Sequence, residues 1–299
     1  MHTSERSSPA PLQAAAQKSL TVNSAVNLSV FTFLRLKWHG TRSLRSVRVG
    51  DANRLAVCAD ATRDVLPKKI ISLPDRTNGT IVAMKCDMFN EEEIVNAFRA
   101  IENNLGGVDI LVNNAGTAIV ASMVDGNTSD WKQVMNLNVI ALSIATREAL
   151  KSMRTRGDDG HIININSIGG HQIPRFLGSN TGIYPASKYA VTALTETLSY
   201  ELSQLNSNIR VSNVSPGLVK TELIQKLADE FNAKNMTLAL TTMNSLESAD
   251  VADGIVFILS TRPNVQVRTH YHTYVYLYLF LTKMREFSSF DDIYIHSRY

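Results

Sequence analysis

Only two cysteines, Cys58 and Cys86, occur in 299 residues. That excludes a disulfide framework, leaves no cysteine-based metal spacing, and points to a reducing, cytoplasmic setting. None of the seven histidines stands in an HExxH arrangement, so no metal is expected. No run of five or more Lys or Arg appears and the formal charge is only +3, which argues against a nucleic-acid partner. Long apolar runs are missing too. Val26 to Leu36 is broken by Asn27 and Arg35, and Val275 to Leu281 is short, so no stable membrane span is expected. Acids are rare at the front. Glu5 is alone in the first fifty residues against Arg6, Lys18, Arg35, Lys37, Arg42, Arg45 and Arg48, a bias that leaves organellar import as a minor alternative. Without an export signal, the sequons at Asn78 and Asn127 read as surface turns.

What is present becomes regular from about residue 80. Short β-branched runs alternate with longer amphipathic segments, the pattern of strand–helix units under a parallel sheet. Strands are expected at 80–87, 108–112, 161–167 and 210–214. Helices are expected at 91–105, 131–156, 187–205 and 249–259, the first stopped by Gly106 and Gly107. A helical flap at 222–245 carries an apolar stripe of Leu223, Ile224, Leu227, Phe231 and Met236. The chain divides into an atypical segment 1–78, a regular domain 79–267 and an atypical tail 268–299.

Chemistry concentrates in Tyr184-Pro185-Ala186-Ser187-Lys188. A tyrosine and a lysine four residues apart share a helix face, and the cation favours a phenolate that otherwise forms near pH ~10. Ser167 follows a strand and is free to hold a substrate oxygen. Asp87, Asn113 to Gly116, Ser167 and Pro216-Gly217 all fall at carboxyl ends of expected strands, the edge where such folds gather ligands. Asp87 has a second reading as a helix cap, and Asn138 as a local carbonyl partner. His171 and Phe176 either line a pocket or pack a loop.

Taken in order and spacing, these motifs resemble the classical short-chain dehydrogenase/reductase family over roughly residues 79–267. Within it, 131–153, 161–170 and 184–198 look like the member 11 group with insect farnesol-dehydrogenase-like proteins. The resemblance implies a Rossmann-like, doubly wound parallel sheet in three α/β/α layers. It implies catalytic roles for Asn138, Ser167, Tyr184 and Lys188: acid/base for Tyr184, support of that proton and of the nicotinamide ribose for Lys188, substrate positioning for Ser167, and a water relay behind the lysine for Asn138. Asp87 would meet adenine. Asn113, Ala115 and Gly116 would line the cofactor, and Pro216, Gly217 and Thr221 would grip the nicotinamide carboxamide. NADP is the implied cofactor, with NAD also possible. A small apolar alcohol or carbonyl is the implied substrate, and helices 131–156 and 187–205 the implied faces of a homo-oligomer.

Both ends depart from the family pattern. Members open with a strand and a TGxxxGxG turn, whereas the only glycines before residue 79 are Gly40 and Gly50. The first strand–glycine turn–helix unit is therefore read as missing or replaced, with Arg54 to Ala59 as a substitute strand. At the far end, the tyrosine-rich run from His270 is suited to a last strand. Two functions follow. One is an NAD(P)-dependent oxidoreductase; the other is an inactive remnant that cannot hold dinucleotide and serves as a binding or subunit-pairing module.

Overall fold

The computed structural model describes residues 30–36, 52–59, 80–173, 182–230, 245–262 and 264–272. Seven strands form one sheet: β1 (Val30–Leu36), β2 (Ala52–Ala59), β3 (Thr80–Lys85), β4 (Ile110–Asn113), β5 (His161–Ile165), β6 (Arg210–Pro216) and β7 (Thr269–His272). Their order is β3-β2-β1-β4-β5-β6-β7. Strand order reverses between β1 and β4, the place where a doubly wound sheet gathers ligands at its carboxyl edge.

Alternation along the strands builds three layers. Leu111, Ile162 and Val211 share one face with Ile94, Phe98, Ala145, Ala149, Met153 and Leu202. Their neighbours Ile110, Val112, Ile163 and Val214 face the other way, against Ile258 and Leu259. A period of two therefore divides β4, β5 and β6 between two helical layers. Each large apolar side chain buried this way stabilises the fold by about 1.5–3 kcal/mol.

The helices are α1 (Glu91–Leu105), α2 (Thr128–Met135), α3 (Leu142–Thr155), α4 (Tyr184–Gln204), α5 (Glu222–Glu230) and α6 (Ser248–Ser260). Helix α1 shows why the sequence folds locally as it does. Ile94, Ala97, Phe98, Ile101 and Leu105 fall on its buried face, the Asn90 side chain accepts from the backbone N–H of Glu92 and Glu93, and Gly106 ends it in the left-handed region at φ 79°. The long helix expected over 131–156 begins at Thr128 and is interrupted. Asn136–Ala141 winds as a wider π turn between α2 and α3. No helix among the described residues is long and apolar enough to cross a membrane.

One strand runs against the rest. β1 is antiparallel to both β2 and β4, with Val30 opposite Ala59 and Phe31 opposite Asn113. The remaining pairs are parallel. Arg54 to Ala59 is indeed a strand, but it lies between β1 and β3 and not beside β4. The front apolar run thus supplies the sheet's centre, and its amino end reaches the carboxyl edge of its neighbours. His270 to His272 lie in β7, parallel to β6. Phe231, Met236 and Phe176 lie outside the described residues.

Candidate active site

Helix α4 begins three residues earlier than its pattern suggests, at Tyr184 with Pro185 in the first turn, where a missing N–H costs nothing. This places Tyr184 and Lys188 one turn apart at the helix mouth, over the carboxyl end of β5. Ser167 lies two residues beyond β5 and opens a 3-10 turn, Ile168–Gly170, its hydroxyl accepting from Gly169 N at 3.0 Å.

Tyr184 is half-buried and its hydroxyl is hydrogen-bonded to Ser167. Burial pushes the phenol above its ordinary value, and the bond to Ser167 works against that rise. Lys188 is buried, and desolvation pushes its ammonium down to about 8. Its Nζ donates to the Ile165 carbonyl at 3.0 Å and lies 5.9 Å from the centre of the Tyr184 ring. The ammonium thus faces the tyrosine ring and a backbone carbonyl.

Asn138 sits in the π turn, 1% exposed. Its Oδ1 accepts from Thr117 N at 2.8 Å, while Nδ2 donates to Thr117 O and Ser187 Oγ, each at 2.9 Å. The amide thus bridges the chain after β4 to the helix that carries Tyr184. Such widened turns recur at functional sites because they re-aim one side chain. Gly116 lies in the same cleft. A Cβ there would stand 3.3 Å from Asn138 Oδ1 and 3.8 Å from Lys188 Nζ, so a bare backbone keeps the space beside the lysine open.

Asn113 ends β4 and points to the helical side, where Nδ2 donates to Thr146 Oγ1 at 2.9 Å and Asn164 Oδ1 at 2.8 Å. It ties the central strands and leaves Oδ1 without a partner. Asn114 is exposed and Ala115 buried. Asp87 follows β3, and its Oδ1 accepts from Phe89 N at 2.8 Å. The cap of α1 belongs to Asn90, so the capping alternative for Asp87 falls away. Pro216 ends β6 and is buried, with Gly217 next. Thr221 precedes α5 and accepts from Ile224 N at 3.4 Å. His171 bonds Ser215 Oγ through Nε2 at 2.8 Å, which ties the serine loop to the end of β6.

Three contributors escaped the sequence reading: Ser187, Thr192 and the Ile165 carbonyl. Ser187 was inside the quoted motif, and its helical position beside Tyr184 was the available signal. An open cavity of about 810 Å³ lies elsewhere among the described residues. It runs between α3 and α4 over Leu142, Leu150, Leu194 and Leu198, with Thr146 and Asn164 among its lining residues, away from the Ser167–Tyr184 pair. Its place on two helix flanks suits packing more than chemistry.

A hydroxyl pair, Ser167 and Tyr184, and a buried cation, Lys188, thus gather at the carboxyl edge of the sheet. The short chain dehydrogenase family matches residues 49–232, and the chain belongs to it. It is 47% identical over 190 residues to dehydrogenase/reductase SDR family member 11 of Bos taurus, covering 63% of this chain and 73% of that protein. It is 40% identical over 197 residues to farnesol dehydrogenase of Aedes aegypti, covering 66% and 76%. Among solved structures, ElxO with NADP bound superposes with a TM-score of 0.61 at 27% identity, covering 74% of this chain and 88% of that one. Serine dehydrogenase complexed with NADP+ has the same fold, at a TM-score of 0.56 and 23% identity.

Proposed function

We propose that this chain is an NAD(P)-dependent oxidoreductase that interconverts an apolar alcohol and its carbonyl compound. The observation that carries the reading is the Tyr184–Ser167 hydrogen bond with buried Lys188 one helical turn away. Gly116, Lys188 and Asn138 fit a nicotinamide ribose, since the bare backbone of the glycine leaves the space beside the lysine ammonium open to a hydroxylated ring. The nicotinamide, when bound, supplies or takes the hydride.

The chain's own residues handle the oxygen. As charge grows there during reduction, Ser167 donates a hydrogen bond and Tyr184 a proton, interactions stronger in the transition state than in the ground state. Lys188 supplies positive charge where the phenolate would appear. Asn138 holds the chain after β4 in place for the ribose and a relay water. Asp87 is assigned to adenine, Asn113, Ala115 and Gly116 to the cofactor's flank, and Pro216, Gly217 and Thr221 to the carboxamide. NADP is favoured as cofactor by the NADP-bound structural relatives, and an isoprenoid-type alcohol by the farnesol dehydrogenase relative. The α3–α4 face with its leucines suits pairing with a second copy.

A second reading rests on β1. A parallel strand in that slot would be followed by a turn and a helix amino end facing a pyrophosphate. β1 instead presents its own amino end to the ligand edge, which favours a remnant with weak dinucleotide affinity. Titrating NADP+ and NAD+ against intrinsic fluorescence separates the two. Saturation at micromolar concentration supports the enzyme, and none by millimolar supports the remnant. In a binding-competent chain, Tyr184→Phe should abolish alcohol oxidation with the fold intact; turnover retained by that variant would eliminate Tyr184 as proton donor.

A further inference from the structure

Thr192 continues the stripe of α4 that carries Tyr184 and Lys188, eight residues from the first and four from the second. Its hydroxyl accepts from Asn166 Nδ2 at 2.9 Å and donates to the Gly170 carbonyl at 3.0 Å, with the Lys188 carbonyl at 3.4 Å. Those two partners bracket the serine. Asn166 immediately precedes Ser167, and Gly170 closes the turn that Ser167 opens, its N–H reaching the Ser167 carbonyl at 2.9 Å.

The turn is seated hard against the helix. A Cβ at Gly170 would come within 2.7 Å of both the Lys188 carbonyl oxygen and Asn166 Nδ2. Asn166 Oδ1 has no partner, so the hold of this side chain on α4 runs through Nδ2 and the threonine. Both flanks of Ser167 are thereby fastened through one hydroxyl to the helix whose first residue is Tyr184.

We infer that Thr192 is a positioning residue that sets the serine hydroxyl against the tyrosine hydroxyl by clamping the Ser167 turn to their common helix. The inference rests on the reading of Ser167 and Tyr184 as the pair that handles the substrate oxygen. Two hydroxyls that must meet one oxygen tolerate little relative motion, since misplacement by about 1 Å costs on the order of a hundredfold in rate.

The full chain carrying Thr192→Val keeps the β-branched shape and loses the hydroxyl; Thr192→Ser restores it. The valine variant should lower kcat for carbonyl reduction roughly tenfold or more, with dinucleotide affinity unchanged, and the serine variant should return to within about twofold of the parent. Hydrogen–deuterium exchange gives an activity-independent readout. The amides of Gly169, Gly170 and His171 should exchange faster in the valine variant and recover in the serine variant, while β4 and β5 keep parent rates. Parent-like kcat together with parent-like exchange in this turn overturns the inference, as does acceleration spread evenly over the chain. If the parent chain neither binds dinucleotide nor turns over, the functional reading falls, and the exchange pattern alone then decides the clamp.

Discussion

Two cations are buried to nearly the same depth at opposite ends of the sheet, Arg210 at 6% exposure and Lys188 at 7%. Arg210 opens β6 at the amino edge and is provided for. Its Nη1 donates to Thr261 Oγ1 at 3.1 Å and the Val265 carbonyl at 3.3 Å, and the field of Asp159 works against the downward pull of burial. Lys188 has the Ile165 carbonyl, and no acid offsets its desolvation. A buried charge with a counter-charge reads as architecture, whereas one held without an acid beside a tyrosine, at the ligand edge, reads as function.

The largest effect should come from removing the uncompensated charge. Lys188→Met is expected to lower turnover about a thousandfold, equivalent to about 4 kcal/mol of transition-state stabilisation, while leaving the fold at least as stable at pH 7. The sign follows from the depressed value. The folded lysine titrates at about 8 against 10.5 in the unfolded chain. Between those values the unfolded state binds more protons, so stability rises with pH; below them burial of the cation costs on the order of 3 kcal/mol. Urea unfolding of parent and variant at pH 7 and pH 10 should show the parent gaining on the variant as pH climbs. Parallel curves, or retained turnover, would place Lys188 in the same class as Arg210.

Arg210→Met should do the reverse. Loss of the guanidinium takes the donor from Thr261 Oγ1 and the Val265 carbonyl and the favourable field from the half-buried Asp159 carboxylate, at about 3 kcal/mol. The rate per folded molecule should stay within about twofold of the parent. A rate loss exceeding the stability loss would break the division between the two edges.

The right half of the sheet was legible because its signals are local. Alternation in β4, β5 and β6, the glycine stop after α1 and the Tyr184–Lys188 spacing each rest on neighbours within a few residues. What escaped was set by contacts distant in sequence. The π turn that aims Asn138 forms against Thr117 and Ser187, and no spacing rule marks it. The Ser167 clamp needs Asn166 and Thr192, 26 residues apart. The direction of β1 is the plainest case. An apolar run shows that a segment can be a strand, and periodicity carries no sign of which way it runs between its partners.

A smaller test concerns a second buried group on the amino edge, His161, which faces Arg210 across β5 and β6. Ser212 Oγ donates to the Val267 carbonyl at 2.6 Å, so the contact between His161 Nε2 and that same oxygen at 2.8 Å has the ring as donor. Nδ1 is then a bare acceptor without a partner, which fixes the neutral ring. Burial, with Arg210 adding to it, pushes the imidazole down to about 3 from 6.5. Across that window the unfolded chain takes up a proton the folded chain refuses, so stability falls as pH drops, by about 1.4 kcal/mol per unit. His161→Gln keeps a donor for Ser212 without the titration. Its acid-unfolding midpoint should therefore lie below that of the parent even if the variant is slightly less stable at pH 7. An unchanged midpoint would mean that the acid sensitivity of this fold resides in its carboxylates, leaving this imidazole an ordinary packing group.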